Sequence, residues 1–215
     1  MIFTTLRTMK KMKMSFFKFV LVLIAFTLNY SAKAADYYWI NGSGSWNNNN
    51  HWSLTSGGIS AGSIPTQNDH VHFDENSFPS GYGDVILTEN TEIKSISISS
   101  QTPLNLTGLY DLVIHGEFTA TTAYNIYVNT IIFENNSSLT NDLDFNDISV
   151  SADLKFTAGN WSLKSKMITS WQNEIRFEKG QFESNGHPIN SNKIIANQSS
   201  YKFNLTNSAK RIPLE

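Results

Sequence analysis

The chain has 215 residues and no cysteine, which excludes a fold held together by disulfides. Six of its 16 basic residues lie in the first 34 positions, so the remaining chain carries 10 basic against 18 acidic residues. That negative balance disfavours a nucleic acid or an anionic membrane as a partner. Few residues are charged, and the many Asn, Ser and Thr residues disfavour long surface helices.

Residues 1–34 have the order of a secretory signal peptide. A leader with four lysines precedes an apolar run from Phe19 to Leu28 and the small-residue sequence Ala32-Lys33-Ala34. The apolar run is too short to span a membrane as a helix. We therefore expect cleavage near Ala34, and a mature chain that is secreted or held at the cell surface and has no membrane span.

Residues 35–83 begin with the aromatic segment ADYYWINGSGSWNNNNHWSLTSGG. Large aromatic side chains are mostly buried. In a fold of stacked repeats, the open end of the first repeat must be covered by a segment that differs from the repeats. The segment therefore predicts an aromatic N-terminal cap. The alternative is a carbohydrate-binding module in which Trp39, Trp46 and Trp52 stack on sugars.

The same stretch contains DHVHFD, a candidate metal site. In a strand, His70, His72 and Asp74 point to one face, and two histidines with a carboxylate suit zinc if a further ligand converges on them. A strand with Val71 and Phe73 inside and a polar outer face explains the same pattern. We assign no metal and expect no cofactor.

Residues 84–215 alternate apolar and polar residues in short runs, which predicts β-strands. Large apolar anchors recur at Ile114, Phe133, Phe156, Phe177 and Phe203, spaced by 19, 23, 21 and 26 residues. A period of this size is typical of one coil of a β-solenoid. The fold class predicted is all-β, a right-handed parallel β-helix. The alternative is a β-sandwich, which favours tight hairpins with Asn-Gly turns.

The β-helix prediction assigns inward positions and corners. Gly and Asn are expected to supply the left-handed backbone that the corners need. The chain stops at AKRIPLE, where Ile212 and Leu214 read as the start of another strand. We expect a chain truncated at its C-terminus, with an uncovered coil that self-associates end to end. The positions expected to face inward include Val113, Ile132, Phe145, Ile175 and Phe177.

A second candidate site is acidic. The segment NDLDFND places Asp142 and Asp144 on one face, with Asp147 and Asp153 nearby. Spaced carboxylates can serve acid–base sugar chemistry or weak calcium binding, but they also discourage sheet-to-sheet aggregation. The sequence contains no Gly-x-Ser-x-Gly, no phosphate-binding glycine loop and no cysteine nucleophile. We assign no catalytic residue.

The aromatic segment together with SIPTQNDHVHFDENSF (63–78) resembles the opening of a family of large repetitive surface proteins. These come from gliding Gram-negative bacteria that use type IX secretion. Their opening has an aromatic strand, a Gly-rich turn, further tryptophans, then Pro-x-x-x-Asp-x-Val-x-Phe-Asp and Ser-Phe ahead of β-helical coils. The matching positions are Trp39, Gly42, Trp46, Trp52, Ser53, Ser56, Gly57, Gly58, Pro65, Asp69, Val71, Phe73, Asp74, Ser77 and Phe78.

The resemblance implies a β-helical fold and a surface location, in a family whose members are presumed adhesins. With the repeat and the cap, it leads us to expect a non-catalytic, adhesin-like or stalk-like module of a larger protein. Its expected partners are surface glycans or other surface proteins. The alternative is a fragment of a β-helical polysaccharide lyase or hydrolase, whose site would need acidic and basic residues aligned on successive coils.

Overall fold

The computed structural model describes residues 34–79, 81–146, 148–196 and 201–204. The predicted leader up to residue 33, Asp147, Ile212 and Leu214 lie outside the described residues, so the expectations that rest on them stay predictions. Within the described ranges the chain consists of strands and turns, with a short 3-10 helix at Asn49–His51.

The strands form three sheets. The first contains β1 (Asp36–Trp39), β3 (Trp52–Ser53), β4 (His70–Phe73), β7 (Ser95–Ile98), β10 (Phe118–Ala120), β13 (Thr140–Asp144), β16 (Asn160–Leu163), β19 (Gly180–Glu183) and β22 (Tyr201–Asn204). The second contains β2 (Gly44–Ser45), β5 (Gly83–Ile86), β8 (Leu104–Thr107), β11 (Ala123–Tyr127), β14 (Ser149–Val150), β17 (Met167–Thr169) and β20 (Ile189–Asn190). The third contains β6 (Thr91–Ile93), β9 (Leu112–Ile114), β12 (Thr130–Glu134), β15 (Asp153–Ala158), β18 (Glu174–Phe177) and β21 (Lys193–Ala196).

The chain visits the three sheets in turn, so each coil gives one strand to each sheet. Coil 1 is β4, β5 and β6, and the stack continues to coil 6, which is β19, β20 and β21. Neighbouring coils pair in parallel: Phe133 lies opposite Ile114 of one neighbour and Phe156 of the other. The first strands of the six coils begin at residues 70, 95, 118, 140, 160 and 180, so a coil uses 20–25 residues. The predicted parallel β-helix is confirmed, and the β-sandwich alternative is wrong.

Coil 1 is covered by the N-terminal part of the segment that the sequence assigns to the cap, residues 35–83, which also contains β4 of coil 1. Strand β1 extends the first sheet in parallel with β4, and β3 then turns back antiparallel to β1 at its outer edge. The turn from β1 uses Asn41 and Gly42, both with positive φ. A reversed strand at the end of the sheet occupies backbone groups that would otherwise face solvent as an open edge.

Apolar side chains from the three sheets fill the centre of every coil. Phe133, Phe156 and Phe177 are fully buried in one column, and their ring centroids lie 4.8 and 4.7 Å apart with the rings nearly parallel. This separation is that of neighbouring strands, about 4.8 Å. The in-register pairing of coils therefore produces the stack of rings.

The inward positions expected from the sequence are partly right. Phe145, Ile175 and Phe177 are buried, but Val113 and Ile132 lie half-buried on the outer face of the third sheet. Both occur in runs of consecutive apolar residues, LVI and TIIF, in which two-residue alternation does not determine which set faces inward. Their apolar neighbours fill the core instead.

Glycine and asparagine build the corners, as the sequence predicts. Asn146 and Asn185 have positive φ values of 43° and 51°, and Gly180 has φ of 124°. A Cβ atom on Gly180 would collide with the carbonyl oxygen of Gly159 in the preceding coil. Close approach of two coils therefore requires glycine here, in addition to the backbone angle.

Candidate functional site

The three cap tryptophans are buried and serve the fold. Trp39, Trp46 and Trp52 are 0%, 1% and 0% exposed, and Trp52 meets the other two rings edge-on at 4.9 and 4.8 Å. The indole N–H of Trp52 donates to the Trp46 carbonyl at 2.7 Å, and that of Trp39 donates to the Gly42 carbonyl at 2.6 Å. A ring without an exposed face does not stack on a sugar. The alternative of a carbohydrate platform does not fit these three buried rings, which form an aromatic cluster at the capped end.

The remaining residues of the opening motif also stabilise the cap. The buried carboxylate of Asp69 accepts hydrogen bonds from the Ala35 N–H at 2.9 Å and from the N–H and hydroxyl of Thr66 at 2.9 and 2.7 Å. The buried hydroxyl of Ser77 accepts a hydrogen bond from the Asp74 N–H at 2.9 Å. Each of these contacts ties a loop of the cap to a strand or turn, so the motif encodes local structure.

The candidate metal ligands do not converge. His70 and His72 lie on the outer face of β4: His70 Nδ1 is hydrogen-bonded to Ser95, and His72 Nε2 lies 2.9 Å from the Asp36 carboxylate. Asp74 leaves the strand, and its carboxylate accepts the Asn76 N–H within a turn. The expectation that Asp74 shares the face of the two histidines is wrong, because β4 ends at the preceding residue. Among the described residues no group of three metal-ligating side chains is present.

The candidate carboxylates are divided between two sheets. Asp142 and Asp144 lie on the outer face of the first sheet, as the alternation predicts, whereas Asp153 lies on the third. Asp142 forms an ion pair with Lys164 at 3.1 Å, and Asp144 accepts the Asn146 N–H at 3.0 Å. Asp142 thus forms an ion pair and Asp144 stabilises a turn. Asp153 lies on a different sheet from both.

Polar side chains on the outer surface form ladders between neighbouring coils. In three places an asparagine amide donates to the aspartate of the preceding coil, at 2.8, 2.6 and 3.2 Å. The hydroxyls of two serines in adjacent coils lie 2.7 Å apart. These hydrogen bonds join coils in the direction of stacking and add to the backbone ladders. The pairs are Asn105 with Asp84, Asn129 with Asp111, Asn173 with Asp153, and Ser151 with Ser170.

An open cleft of about 540 Å³ lies on the cap. Its lining residues are neutral, so it offers hydrogen bonds but no acid or base. One wall is fixed by the amide of Asn49, which donates to the Gly62 carbonyl at 3.2 Å. The lining residues are Asn47, Asn48, Asn49, Gly62, Ser63 and Ile64.

The sequence analysis missed a row of exposed apolar side chains at the corner between the second and third sheets. Trp171 is 78% exposed and Tyr127 is 51% exposed, in contrast to the buried cap rings. The available signals were the position of Tyr127 at the polar phase of its strand and the placement of Trp171 in the turn-forming run SWQN. The side chains in this row are Ile86, Leu109, Tyr110, Tyr127 and Trp171.

In the part of the chain that the structure describes, no helix has the length and apolar character needed to cross a membrane. Comparison of the chain with protein-family models, with curated proteins and with solved structures finds no match.

Proposed function

We propose that the chain is a non-catalytic, exported β-helical module of a secreted or cell-surface protein, with a stalk-like or adhesin-like role. The observation that carries the proposal is the use of polar side chains to join coils. Repeat folds of this kind extend in one direction by adding coils, and each coil contacts only its neighbours. Such a stack suits a spacer that presents its side walls to a partner.

The environment of the carboxylates supports the same role. An acid–base pair for sugar hydrolysis needs two carboxyl groups facing one substrate, with one of them held protonated. Asp142 is instead paired with Lys164, and Asp153 accepts hydrogen bonds from the Asn173 amide and the Glu174 N–H on another sheet. These contacts give both carboxylates a structural role. The leader sequence supports export, and the resemblance of the opening motif supports a surface location.

The proposal is tested by producing the full chain in a Gram-negative host. We expect the protein outside the cytoplasm with Ala35 or Asp36 at its N-terminus, as determined by intact mass. The purified protein is then incubated with polygalacturonate, xylan and a soluble β-glucan, and reducing ends and unsaturated products are measured. We expect no product from any polymer.

The Asp142→Asn/Asp144→Asn double variant is the matched control for the lyase or hydrolase alternative. Product formed by the wild-type protein and lost in this variant would establish that alternative. Retention of the leader on a protein that stays in the cytoplasm would refute export.

A further inference from the structure

The row of exposed apolar residues lies on the corner between the second and third sheets, where the length of the connecting segment differs from coil to coil. Four residues connect β8 to β9 in coil 2, and four connect β17 to β18 in coil 5. Only two residues make the same connection in coils 3 and 4. The longer corners bear the exposed side chains of Leu109 and Tyr110 on one side and of Trp171 on the other. The longer connections of coils 2 and 5 therefore flank the shorter connections of coils 3 and 4, which we call the floor.

We call this feature the corner saddle, formed by Leu109, Tyr110, Tyr127, Ser151, Ser170 and Trp171. Tyr127 ends β11 with its side chain directed outward, half exposed, on the floor of coil 3. Ser151 follows it in coil 4, where its N–H bonds to the Ile126 carbonyl at 2.8 Å. From coil 2 to coil 5 the corner saddle spans three strand separations, about 14 Å. That length accommodates a short stretch of an extended polymer.

Three exposed aromatic rings, those of Tyr110, Tyr127 and Trp171, occur on this one corner. Single exposed apolar side chains are common on protein surfaces, whereas a group of them on one feature indicates a binding surface. Tyr127 and Trp171 lie on the same corner two coils apart, about 10 Å along the stack. Tyrosine and tryptophan combine an apolar ring face with a polar edge, so they contact ligands that are themselves amphipathic. A sugar ring has this character, because its C–H groups form an apolar face and its hydroxyls surround the rim.

The charge around the corner saddle restricts the ligand further. Asp84 is the one charged residue in the described strands of the second sheet, and Asp111 and Asp153 begin the third-sheet side of the corner. An anionic polymer would meet these carboxylates, while Lys155 and Arg176 on the third sheet are already paired with Glu178 and Glu174. The hydroxyls of Ser151 and Ser170 share one hydrogen bond at 2.7 Å, and together they retain one O–H donor and further lone pairs for neutral hydroxyl groups.

We propose that the corner saddle binds a neutral polysaccharide, with sugar rings stacked on Tyr127 and Trp171 and hydroxyls bonded to the serines between them. The binding rests on the proposed function as a surface module and gives it a ligand class. The site uses no residue of the cap, because the cap rings are buried. It assigns adhesion to the side wall of the solenoid.

The structure provides a spectroscopic probe of this site. The chain has five tryptophans, and four of them, Trp39, Trp46, Trp52 and Trp161, are 0–1% exposed. Trp171 is 78% exposed, so iodide should quench its fluorescence selectively. A polymer that covers the corner saddle should protect Trp171 from iodide. The probes are a soluble β-glucan and a soluble mannan, with polygalacturonate as the anionic comparison.

Variants at the corner saddle separate ring stacking from nonspecific adhesion. Trp171→Ala and Tyr127→Ala should each weaken binding of the neutral polymer about tenfold in affinity electrophoresis, the scale of one aromatic contact. Tyr127→Phe retains the ring face and should bind nearly as the wild type does. Tyr82→Ala removes an exposed ring before the opposite end of β5 and serves as the matched control, with binding unchanged. Thermal unfolding checks that every variant is folded.

Protection of Trp171 by a neutral polymer, lost affinity in the two alanine variants and an unchanged Tyr82→Ala variant would establish the site. Three results would each overturn it: no binding to either neutral polymer, equal binding by the alanine variants, or equally tight binding of polygalacturonate. Cleavage of a polymer or retention in the cytoplasm is measured separately, and either result refutes the proposed function without bearing on the ring contacts.

Discussion

Substitution of Phe156 tests the packing between coils most sharply. Its ring is fully buried between Phe133 and Phe177, with centroid distances of 4.8 and 4.7 Å, and it meets Phe182 edge-on at 5.5 Å. Phe156→Ala removes these contacts and leaves a cavity in the middle of the stack. The neighbouring coils are held by their backbone ladders and do not close it.

The expected loss follows from these contacts. Truncation of a buried Phe to Ala costs about 3–5 kcal/mol. The two stacked ring contacts, about 0.5–1.5 kcal/mol each beyond burial, are part of that loss and place Phe156→Ala at the upper end of the range, near 5 kcal/mol. Phe156→Leu keeps most of the apolar volume and should cost about 1.5 kcal/mol.

The measurement is urea unfolding followed by circular dichroism and by fluorescence. Lys155→Ala is the control on the outer face of the same strand, where Lys155 pairs with Glu178 at 3.1 Å in a partly exposed ion pair. That substitution should cost less than about 1 kcal/mol. A Phe156→Ala loss below about 1.5 kcal/mol, comparable to the control, would refute the stacked arrangement of rings.

Three further substitutions test the corners, the cap and the surface by the same unfolding measurement. Gly180→Ala should destabilise strongly, because a Cβ would meet the carbonyl of Gly159 at a positive φ that alone costs about 1–3 kcal/mol; a neutral result would contradict the close approach of coils 5 and 6. Trp46→Ala should cost about 3 kcal/mol, at the lower end for a buried aromatic, because the substitution also removes a buried indole N–H without a hydrogen-bond partner; a loss below about 1 kcal/mol would contradict its burial in the cap. Lys164→Ala should change stability by less than about 1 kcal/mol, since its ion pair with Asp142 is about half exposed; a larger loss would mean that the pair contributes to the packing of the first sheet.

The fold class was predictable because the coil period is encoded in the large apolar anchors. Ile114, Phe133, Phe156 and Phe177 all prove to be inward residues in one column of the third sheet. Phenylalanine reports the inward phase of these strands because its ring has no polar group and is removed from water only in the core, whereas Tyr127 points outward. The prediction that Ile132 faces inward was wrong because an apolar residue lies on either side of it. The sequence of this strand alone does not decide which set of alternate residues faces the core; stacking of Phe133 on Phe156 of the next coil decides it.

The cap was predictable from composition, but the exposed corner was not. Trp46 and Trp171 both lie in polar, turn-forming sequence, and one is buried while the other is exposed. The difference arises from the positions of the two residues in the fold. Trp46 packs against Trp52 and Phe73 in the cap. Trp171 lies in a connection between the second and third sheets that is longer than the same connection in coils 3 and 4. A single strand also cannot reveal that Asp142 and Asp153 belong to different sheets.

Distances between pairs of spin labels test the in-register stacking of parallel coils directly. The chain has no cysteine, so introduced cysteines take labels uniquely. Glu92, Lys155, Arg176 and Ile195 lie in one outward column of the third sheet, connected through the pairing of successive strands. With one label at Glu92 and the second at each of the others, the distances should centre on about 14, 19 and 24 Å, one strand separation more per coil. Distances that fail to increase by one strand separation from coil to coil would contradict the parallel solenoid.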